Sequence, residues 1–412
     1  MKVVILAAGT RGDIDPFLAL ALGMKAAGHG VMVWVPPTFE PKVRRLGLRT
    51  APPQANADPF EPLRPTKGDL LGAHLRGELH VLHQMMAAHW NACRGADLVV
   101  YHGNLFSVPM IAEKLRLPRV AVLQAPILTP TGAFPCPLYE GEAVGAEENL
   151  ATYARVFSEL TGGIRPLVRA WRTRRLGLPA EEDGALPFLV RDALPSPILY
   201  CSSPALYGRP DDWPETSLAS GFWLHEDPNE AELDPALLRF LEAGPPPVYV
   251  GFGSMRREGA RELSLQVASV LERLGLRGVL ATGWGGLGRI ANRQHLRCIG
   301  RVSHRRLFPR VAAVVHHGGA STTGAGLLAA RPTWILPFLA DQPFWGRRVH
   351  ALGLGPAPLP QSELDETALA AGLEAVARDP AFRQRAARMG ERLRHEEGIE
   401  DAVRFVETYA AV

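Results

Sequence analysis

Apolar positions along this chain come in continuous blocks of strand length, separated by amphipathic segments of helix length. Val3–Gly9 is one such block, Pro16–Ala27 reads as a helix, and Val31–Pro37 is a second block. Blocks of this kind, closed by glycine or proline, are strands buried on both faces, and a strand–helix–strand order makes a parallel sheet. Further strands are expected at Leu98–Tyr101, Val120–Leu123 and Ile198–Cys201. Two segments, Asn56–Ala88 and Pro126–Glu148, break the rhythm and are rich in proline, glycine and histidine. In an α/β domain such departures are loops over the carboxyl edge of the sheet, where ligands bind.

The texture changes at Tyr207–Pro235, which is rich in proline and acidic residues, has little periodicity, and reads as a linker. The alternation then restarts. Strands are expected at Val248–Phe252, Gly278–Thr282, Leu296–Gly300, Val311–Val315 and Thr333–Pro337, with a helix over Arg261–Leu274. The charged end, Ala381–Ala410, is helical. The expected fold class is therefore α/β, with two doubly wound Rossmann-like domains facing a central cleft. The first covers residues 1–206, the linker 207–235 and the second domain 236–385, and a C-terminal helix within 386–412 packs back toward the first domain. A length of 412 residues fits two such cores, at roughly 150 residues per domain.

Composition narrows the classes. Charged residues are 21% and hydrophobic ones 47%, as in an ordinary globular protein with large cores. A formal charge of +3, with no Lys/Arg block interleaved with aromatics, does not mark a nucleic-acid binder. Lysine is scarce beside arginine, a bias that fits a GC-rich bacterial genome. The four cysteines (Cys93, Cys136, Cys201, Cys298) are scattered and form no CxxC pair, so neither a disulfide framework nor a zinc site is indicated. The apolar start is cut by GTRGD at Gly9–Asp13, and no later run reaches about 18 apolar residues, so no signal peptide or membrane span is expected. The expectation is a cytoplasmic protein whose membrane contact, if any, is peripheral.

Candidate chemistry gathers at the strand ends. The turn from His316 to Thr323, HHGGASTT, follows a buried strand and opens a helix. Its bare glycines, hydroxyls and free helix N–H groups suit an anion, above all a diphosphate. Consecutive strand residues face opposite ways, so one histidine reaches the anion; His317 is chosen, with His316 held in the core. GTRGDIDP at Gly9–Pro16 lacks the GxGxxG of dinucleotide binding. Asp15 before Pro16 reads as a helix N-cap. Asp13, two residues earlier, is either a general base for a substrate hydroxyl or a solvated carboxylate. Thr10 and Ser254, the latter in GFGSM, either donate to phosphate or simply lie in strand-ending turns. Trp284, in TGWGGLG, either lines a nucleotide pocket or packs on the core. Asp341 and Gln342 either hydrogen-bond vicinal sugar hydroxyls or cap a helix with Pro343.

GTRGDIDP, PPPVYVGFGSM, GWGGLG, HHGGASTTGAGL and PFLADQPFWGRRV, in that order, resemble the nucleotide-sugar glycosyltransferases of family 1, which include glycopeptide-antibiotic and sterol glycosyltransferases. The resemblance spans both ends of the chain. It implies a GT-B fold, an inverting mechanism without metal or cofactor, and a UDP- or dTDP-sugar co-substrate bound mainly by the second domain. It also implies roles. Asp13 corresponds to the base that deprotonates the acceptor hydroxyl; Thr10 and Ser254 lie near the diphosphate; His317, Gly318, Gly319, Ser321 and Thr322 form the phosphate turn. Asp341 and Gln342 grip the donor sugar, while Val302, with Trp284, belongs to the nucleotide-base region. Ser321 departs from the glycine common in the bacterial relatives.

The leading expectation is a glycosyltransferase that moves a sugar to a hydroxyl of a hydrophobic natural product or lipid-like acceptor, as in antibiotic biosynthesis. A nucleotide-sugar 2-epimerase and a catalytically silent nucleotide-sugar-binding protein are the alternatives. DQPFW and GTRGD count against the first, and the joint presence of Asp13, His317 and Asp341 against the second.

Overall fold

The computed structural model describes residues 1–51, 84–141, 143–162, 165–180, 190–191, 194–224, 232–255, 258–283 and 286–410. The chain forms two compact units. The first comprises Met1–Cys201, Arg209–His225 and Glu397–Val412, and the second Ser202–Gly208 and Glu226–Glu396.

Among the described residues the main sheet of the first unit has seven strands: β1 (Lys2–Leu6), β2 (Gly30–Trp34), β3 (Arg49–Thr50), β4 (Leu98–His102), β5 (Arg119–Leu123), β8 (Ile198–Tyr200) and β9 (Ser217–Ala219). Their order is β3-β2-β1-β4-β5-β8-β9, and every pairing is parallel. A short antiparallel pair, β6 (Val190–Arg191) with β7 (Leu194–Pro195), stands apart from this sheet. Val3 and Ile5 on β1 share one buried cluster with Phe17, Leu20 and Met24 of the Arg11–Ala26 helix, which explains why the apolar blocks pair as they do. The Gly398–Thr408 helix adds Ala402, Val403 and Val406 to that cluster. It approaches so closely that a Cβ on Gly23 would lie 2.4 Å from Ile399. Full burial of each such aliphatic side chain contributes about 1.5–3 kcal/mol.

The second unit carries β10 (Val248–Gly251), β11 (Gly278–Ala281), β12 (Leu296–Ile299), β13 (Ala313–His316) and β14 (Thr333–Ile335), in the order β12-β11-β10-β13-β14, all parallel. Alternate residues of β10 feed separate cores. Val248 and Val250 pack with Leu263, Val267 and Leu373, whereas Tyr249 packs with Phe240 and Phe308 on the other face. Burial on both faces is what the continuous apolar runs announced.

In each sheet the strand order reverses at one place, between β1 and β4 and between β10 and β13. Loops leaving the carboxyl ends of the strands diverge there, and a crevice opens in an open α/β sheet. Gly9–Asp13 and His316–Thr323 leave β1 and β13 at these two points.

Two expectations change. Residues 207–235 are not one linker: 209–225 cluster with the first unit and include β9 at the sheet edge, while 202–208 cluster with the second. Tyr207 lies against Trp345, their rings 6.1 Å apart, and Arg348 Nε donates to Leu206 O at 2.8 Å. The N-terminal helix also begins earlier than Asp-Pro suggested, at Arg11, so Asp15 is not its cap. Asp15 accepts instead from Lys42 Nζ at 2.6 Å and Arg11 Nε at 2.9 Å. Burial opposes its ionisation, but those two cations outweigh it and hold its carboxyl below the ordinary value.

Candidate active site

In the second unit the anion turn is shaped by what cannot fit. Gly318 has φ +99°, and a Cβ there would meet Ile335 at 2.8 Å and Gln342 O at 3.0 Å. Only glycine combines that backbone conformation with that approach. Gly319 is the N-cap of the Ala320–Leu328 helix, and Thr323 N–H is received by Gly319 O at 2.9 Å. The N–H groups of the first turn, which no helix carbonyl can receive, point out of the helix end and carry its positive dipole. Thr323 is buried, its hydroxyl donating back to Gly319 O at 3.1 Å, whereas Ser321 and Thr322 are half-buried.

The two histidines divide as alternation requires. His316, the last residue of β13, is buried and takes the Gly318 N–H on Nδ1 at 3.0 Å, which curls the turn. Burial, with His317 and His304 nearby, drives its basicity well below the ordinary imidazole value. His317 lies beyond the strand, its ring edge-on to His316. Burial lowers its pKa to about 4, so it works as a neutral ring. Its Nδ1 is buried without a hydrogen-bond partner in the protein. Two glycines make room for it: a Cβ on Gly253 would lie 3.0 Å from Cε1, and one on Gly319 2.7 Å from Nε2.

Neighbouring strand ends converge here. Gly251 pairs with His316 across β10 and β13, so Gly253 and half-buried Ser254 follow alongside the turn. Gly283, after β11, approaches Gly253 O so closely that a Cβ would lie 2.5 Å from it. Trp284 lies outside the described residues. Val302 is partly buried on the core that holds Leu307 and Phe308. Ser303 beside it caps the His304–Leu307 helix, accepting the Arg306 N–H at 3.3 Å.

The Asp341–Gln342 pair splits. Gln342 is 5% exposed, and its Oε1 accepts the N–H groups of Phe338 at 2.8 Å and Leu339 at 3.2 Å. Its Nε2 lies 3.5 Å from Met255 Sδ. The side chain thus ties the loop after β14 together, and only its amide N–H edge is left for a ligand. Asp341 occupies the N-cap position of the Gln342–Ala351 helix but does not cap it; its Oδ2 accepts Trp345 Nε1–H at 2.7 Å. Trp345 is fully buried against Tyr207 and Phe344. Ala340, just before, sits at φ +58°, a local strain of the kind stored at functional turns.

In the first unit Thr10 is the N-cap and Asp13 the third helical residue. Asp13 Oδ2 accepts Thr10 N–H at 2.6 Å and Thr10 Oγ1–H at 2.9 Å. The carboxylate therefore has the capping duty that the sequence reading withheld from it, and the Thr10 hydroxyl is turned toward Asp13. Gly9, at φ +125°, has no alternative: a Cβ there would lie 2.4 Å from Asp13 Oδ2. Gln124 Nε2, just past β5, lies 3.4 Å from Asp13 Oδ1. Gln124 escaped the sequence reading because it reaches Asp13 through the fold, without a motif of its own; Trp345 lies in the DQPFW motif, but its bond to Asp341 depends on the helix that starts at Gln342. The irregular segment Asn56–Ala88 lies largely outside the described residues. Among the described residues no group of three His, Cys, Asp or Glu gathers as metal ligands would, and no helix is long and apolar enough to cross a membrane.

Known proteins share this plan. The model of the Glycosyltransferase family 28 N-terminal domain matches residues 3–117, and that of the Erythromycin biosynthesis protein CIII-like C-terminal domain matches residues 288–400. O-mycaminosyltylonolide 6-deoxyallosyltransferase of Streptomyces fradiae is 33% identical over 422 residues, covering 100% of this chain and 98% of that protein. A sterol 3-beta-glucosyltransferase of Arabidopsis thaliana is 31% identical over 427 residues, covering 98% of this chain and 65% of that protein. The chain thus spans about two thirds of the plant enzyme, and 26% of another relative, a UDP-sugar-dependent glycosyltransferase of Dictyostelium discoideum. Among solved structures, the glycotransferase of kitacinnamycin superposes with a TM-score of 0.73 at 18% identity, covering 99% of this chain and 98% of its own. That likeness identifies the fold as GT-B.

Proposed function

Because this chain belongs to the glycosyltransferases with a family 28 N-terminal domain and a CIII-like C-terminal domain, we propose that it transfers a sugar from a UDP- or dTDP-sugar to a hydroxyl of a hydrophobic natural product or lipid-like alcohol. The reaction inverts the anomeric centre and needs no metal ion. The observation that carries this reading is the turn after β13, where bare glycines, a half-buried neutral His317 and a helix N-terminus meet.

Asp13 takes the proton of the acceptor hydroxyl as its oxygen attacks the anomeric carbon. The bond from that carbon to the diphosphate breaks, and the electron pair leaves on the diphosphate. Its growing charge is met by the N–H groups of Gly319 to Thr322, the Ser254, Ser321 and Thr322 hydroxyls and the N–H of neutral His317, donors fixed in place before reaction. Asp341, held by Trp345, orients the sugar with the Gln342 amide edge, and Val302 lies beside the nucleotide base. Thr10 serves the base rather than the diphosphate, since its hydroxyl already donates to Asp13.

The test is a donor panel of UDP-glucose, UDP-GlcNAc and dTDP-deoxysugars with sterol and macrolide aglycones, read by nucleotide release and product NMR. The expected outcome is acceptor-dependent release, a product inverted at the anomeric carbon, full activity in chelator, and loss of turnover in Asp13→Ala with nucleotide binding retained. Conversion of UDP-GlcNAc without acceptor would replace this reading with an epimerase.

A further inference from the structure

A carboxylate held at one oxygen still pivots, because its terminal torsion is broad and roughly two-fold. Thr10 holds only Oδ2 of Asp13. The second oxygen is reached by a chain of buried side chains that the sequence gives no reason to join. Asn104 N–H lies 3.3 Å from His102 Nδ1, His102 Nε2 lies 3.3 Å from Gln124 Oε1, and Gln124 Nε2 lies 3.4 Å from Asp13 Oδ1. His102 is 1% exposed and Gln124 9%.

The direction of every bond in this chain is fixed from both ends. A backbone N–H can only donate, so His102 Nδ1 is the acceptor and its proton resides on Nε2. An ionised carboxylate can only accept, so Gln124 turns its amide N–H₂ to Asp13 and its carbonyl to His102. The two deductions meet at Gln124 without conflict. Burial depresses the basicity of His102 against the pull of Asp13 and Gln124, which keeps the ring in the single-proton form the chain requires. Phe17, its ring 5.5 Å from that of His102, packs beside it. The three strand ends involved, those of β1, β4 and β5, are adjacent in the sheet, so the fold itself delivers these groups to one place.

We propose that Gln124 and His102 are positioning residues for Asp13: together with Thr10 they pin both carboxylate oxygens and leave one lone-pair direction of Oδ1 to the acceptor hydroxyl. This rests on Asp13 being the base. Neither residue touches substrate, so both act on turnover rather than on donor affinity.

Four variants and one double variant test it, each measured for kcat, donor KM, nucleotide binding by calorimetry and melting temperature. Gln124→Met keeps the length and removes the N–H; kcat is expected to fall about tenfold or more, with donor KM and nucleotide Kd within about twofold. His102→Phe removes the ring N–H and should lower kcat about fivefold, while His102→Gln, whose amide N–H reaches the place of Nε2, recovers most of it. Adding His102→Phe to Gln124→Met should cost nothing further, since the chain is already cut. Asp13→Asn separates the two readings. If Asp13→Asn is inactive but Gln124→Met turns over like the parent, the positioning inference is wrong and the base stands. If Asp13→Asn retains turnover, the base reading itself fails. Equal losses in His102→Phe and His102→Gln, accompanied by lower melting temperatures, would make the chain merely structural and overturn the proposal.

Discussion

Substituting Gly319 by alanine isolates the contact between the anion turn and His317. The backbone at this position, φ −61° and ψ 134°, is one alanine adopts without strain. The gain of about 0.4–1 kcal/mol from a less flexible unfolded chain is roughly offset by the poorer fit of alanine to an N-cap. What remains is one clash. The new methyl would lie 2.7 Å from His317 Nε2, and its next contacts, with Cε1 at 3.4 Å and Cδ2 at 3.6 Å, belong to the same ring. Reaching an ordinary separation requires the ring to move by roughly 0.7 Å, a displacement that overpacking studies place at about 1–3 kcal/mol. The ring has little freedom on its other side, where Gly253 already comes close. If His317 holds the diphosphate, the displacement should raise nucleotide Kd about tenfold, equivalent to about 1.4 kcal/mol. Titration calorimetry with UDP and dTDP measures this directly. The decisive comparison is Gly319→Ala in a His317→Ala background, where the methyl has room and its cost should vanish, giving a coupling of at least about 1 kcal/mol. An equal affinity loss in both backgrounds would refute the reasoning, because the methyl would then be acting on something other than His317.

Three further outcomes are expected. His317 and His89 titrate near 4 and 3 when folded, and His316 well below its ordinary value, all chiefly through burial. Unfolded rings take up protons near 6.5, so the unfolded chain binds more protons below that pH; stability is full above about pH 6.5 and declines as pH falls, by up to about 1.4 kcal/mol per pH unit per ring. Urea melts at pH 7.5, 6 and 5 should show this, and constant stability across them would contradict the neutral state of these rings. Trp345→Phe removes the indole N–H that lies 2.7 Å from Asp341 Oδ2 and should raise donor KM about tenfold, with nucleotide binding nearly unchanged. An unaltered KM would remove Asp341 from sugar recognition. Thr322→Asp places a carboxylate at the third position of the anion-turn helix; nucleotide affinity should fall at least about tenfold while the melting temperature holds or rises, and retained affinity would mean the anion binds elsewhere.

The sheets were legible because their strands are parallel and buried on both faces, so β1, β10 and β13 stand out as valine-bearing apolar runs. β9 was not: its three residues, Ser217–Ala219, pair with β8 at the sheet edge and carry no pattern. Strand alternation implies that only one of His316 and His317 is held in the core, and the glycines that follow His317 single out which. The start of the first helix was misread because Asp15-Pro16 is a valid local cap signal, yet Thr10 and Asp13 form two hydrogen bonds across the earlier turn. Asp15 is drawn instead to Lys42, a partner 27 residues away that no local pattern announces. Gln342 looked like one half of a sugar clamp, but the same amide also reaches the N–H groups three and four residues before it, and its oxygen is committed to them.

The two units place the same device at the same point of the sheet and arm it oppositely. In each, a glycine-bearing turn leaves a strand beside the reversal in strand order and opens a helix. What differs is the pair at the N-cap and third helical positions: Thr10 with Asp13 in the first, Gly319 with Thr322 in the second. An acid at the third position turns back on the N-cap N–H and meets the positive helix end from within. That helix end is then closed to an external anion, but it presents a carboxylate fixed by two hydrogen bonds. With glycine and threonine in those places and no acid in the first turn, the other helix keeps its N–H groups and dipole available to a diphosphate. A single position, acidic in one unit and hydroxylic in the other, thus gives one helix end a fixed carboxylate and leaves the other open to an anion, within the same strand–turn–helix device.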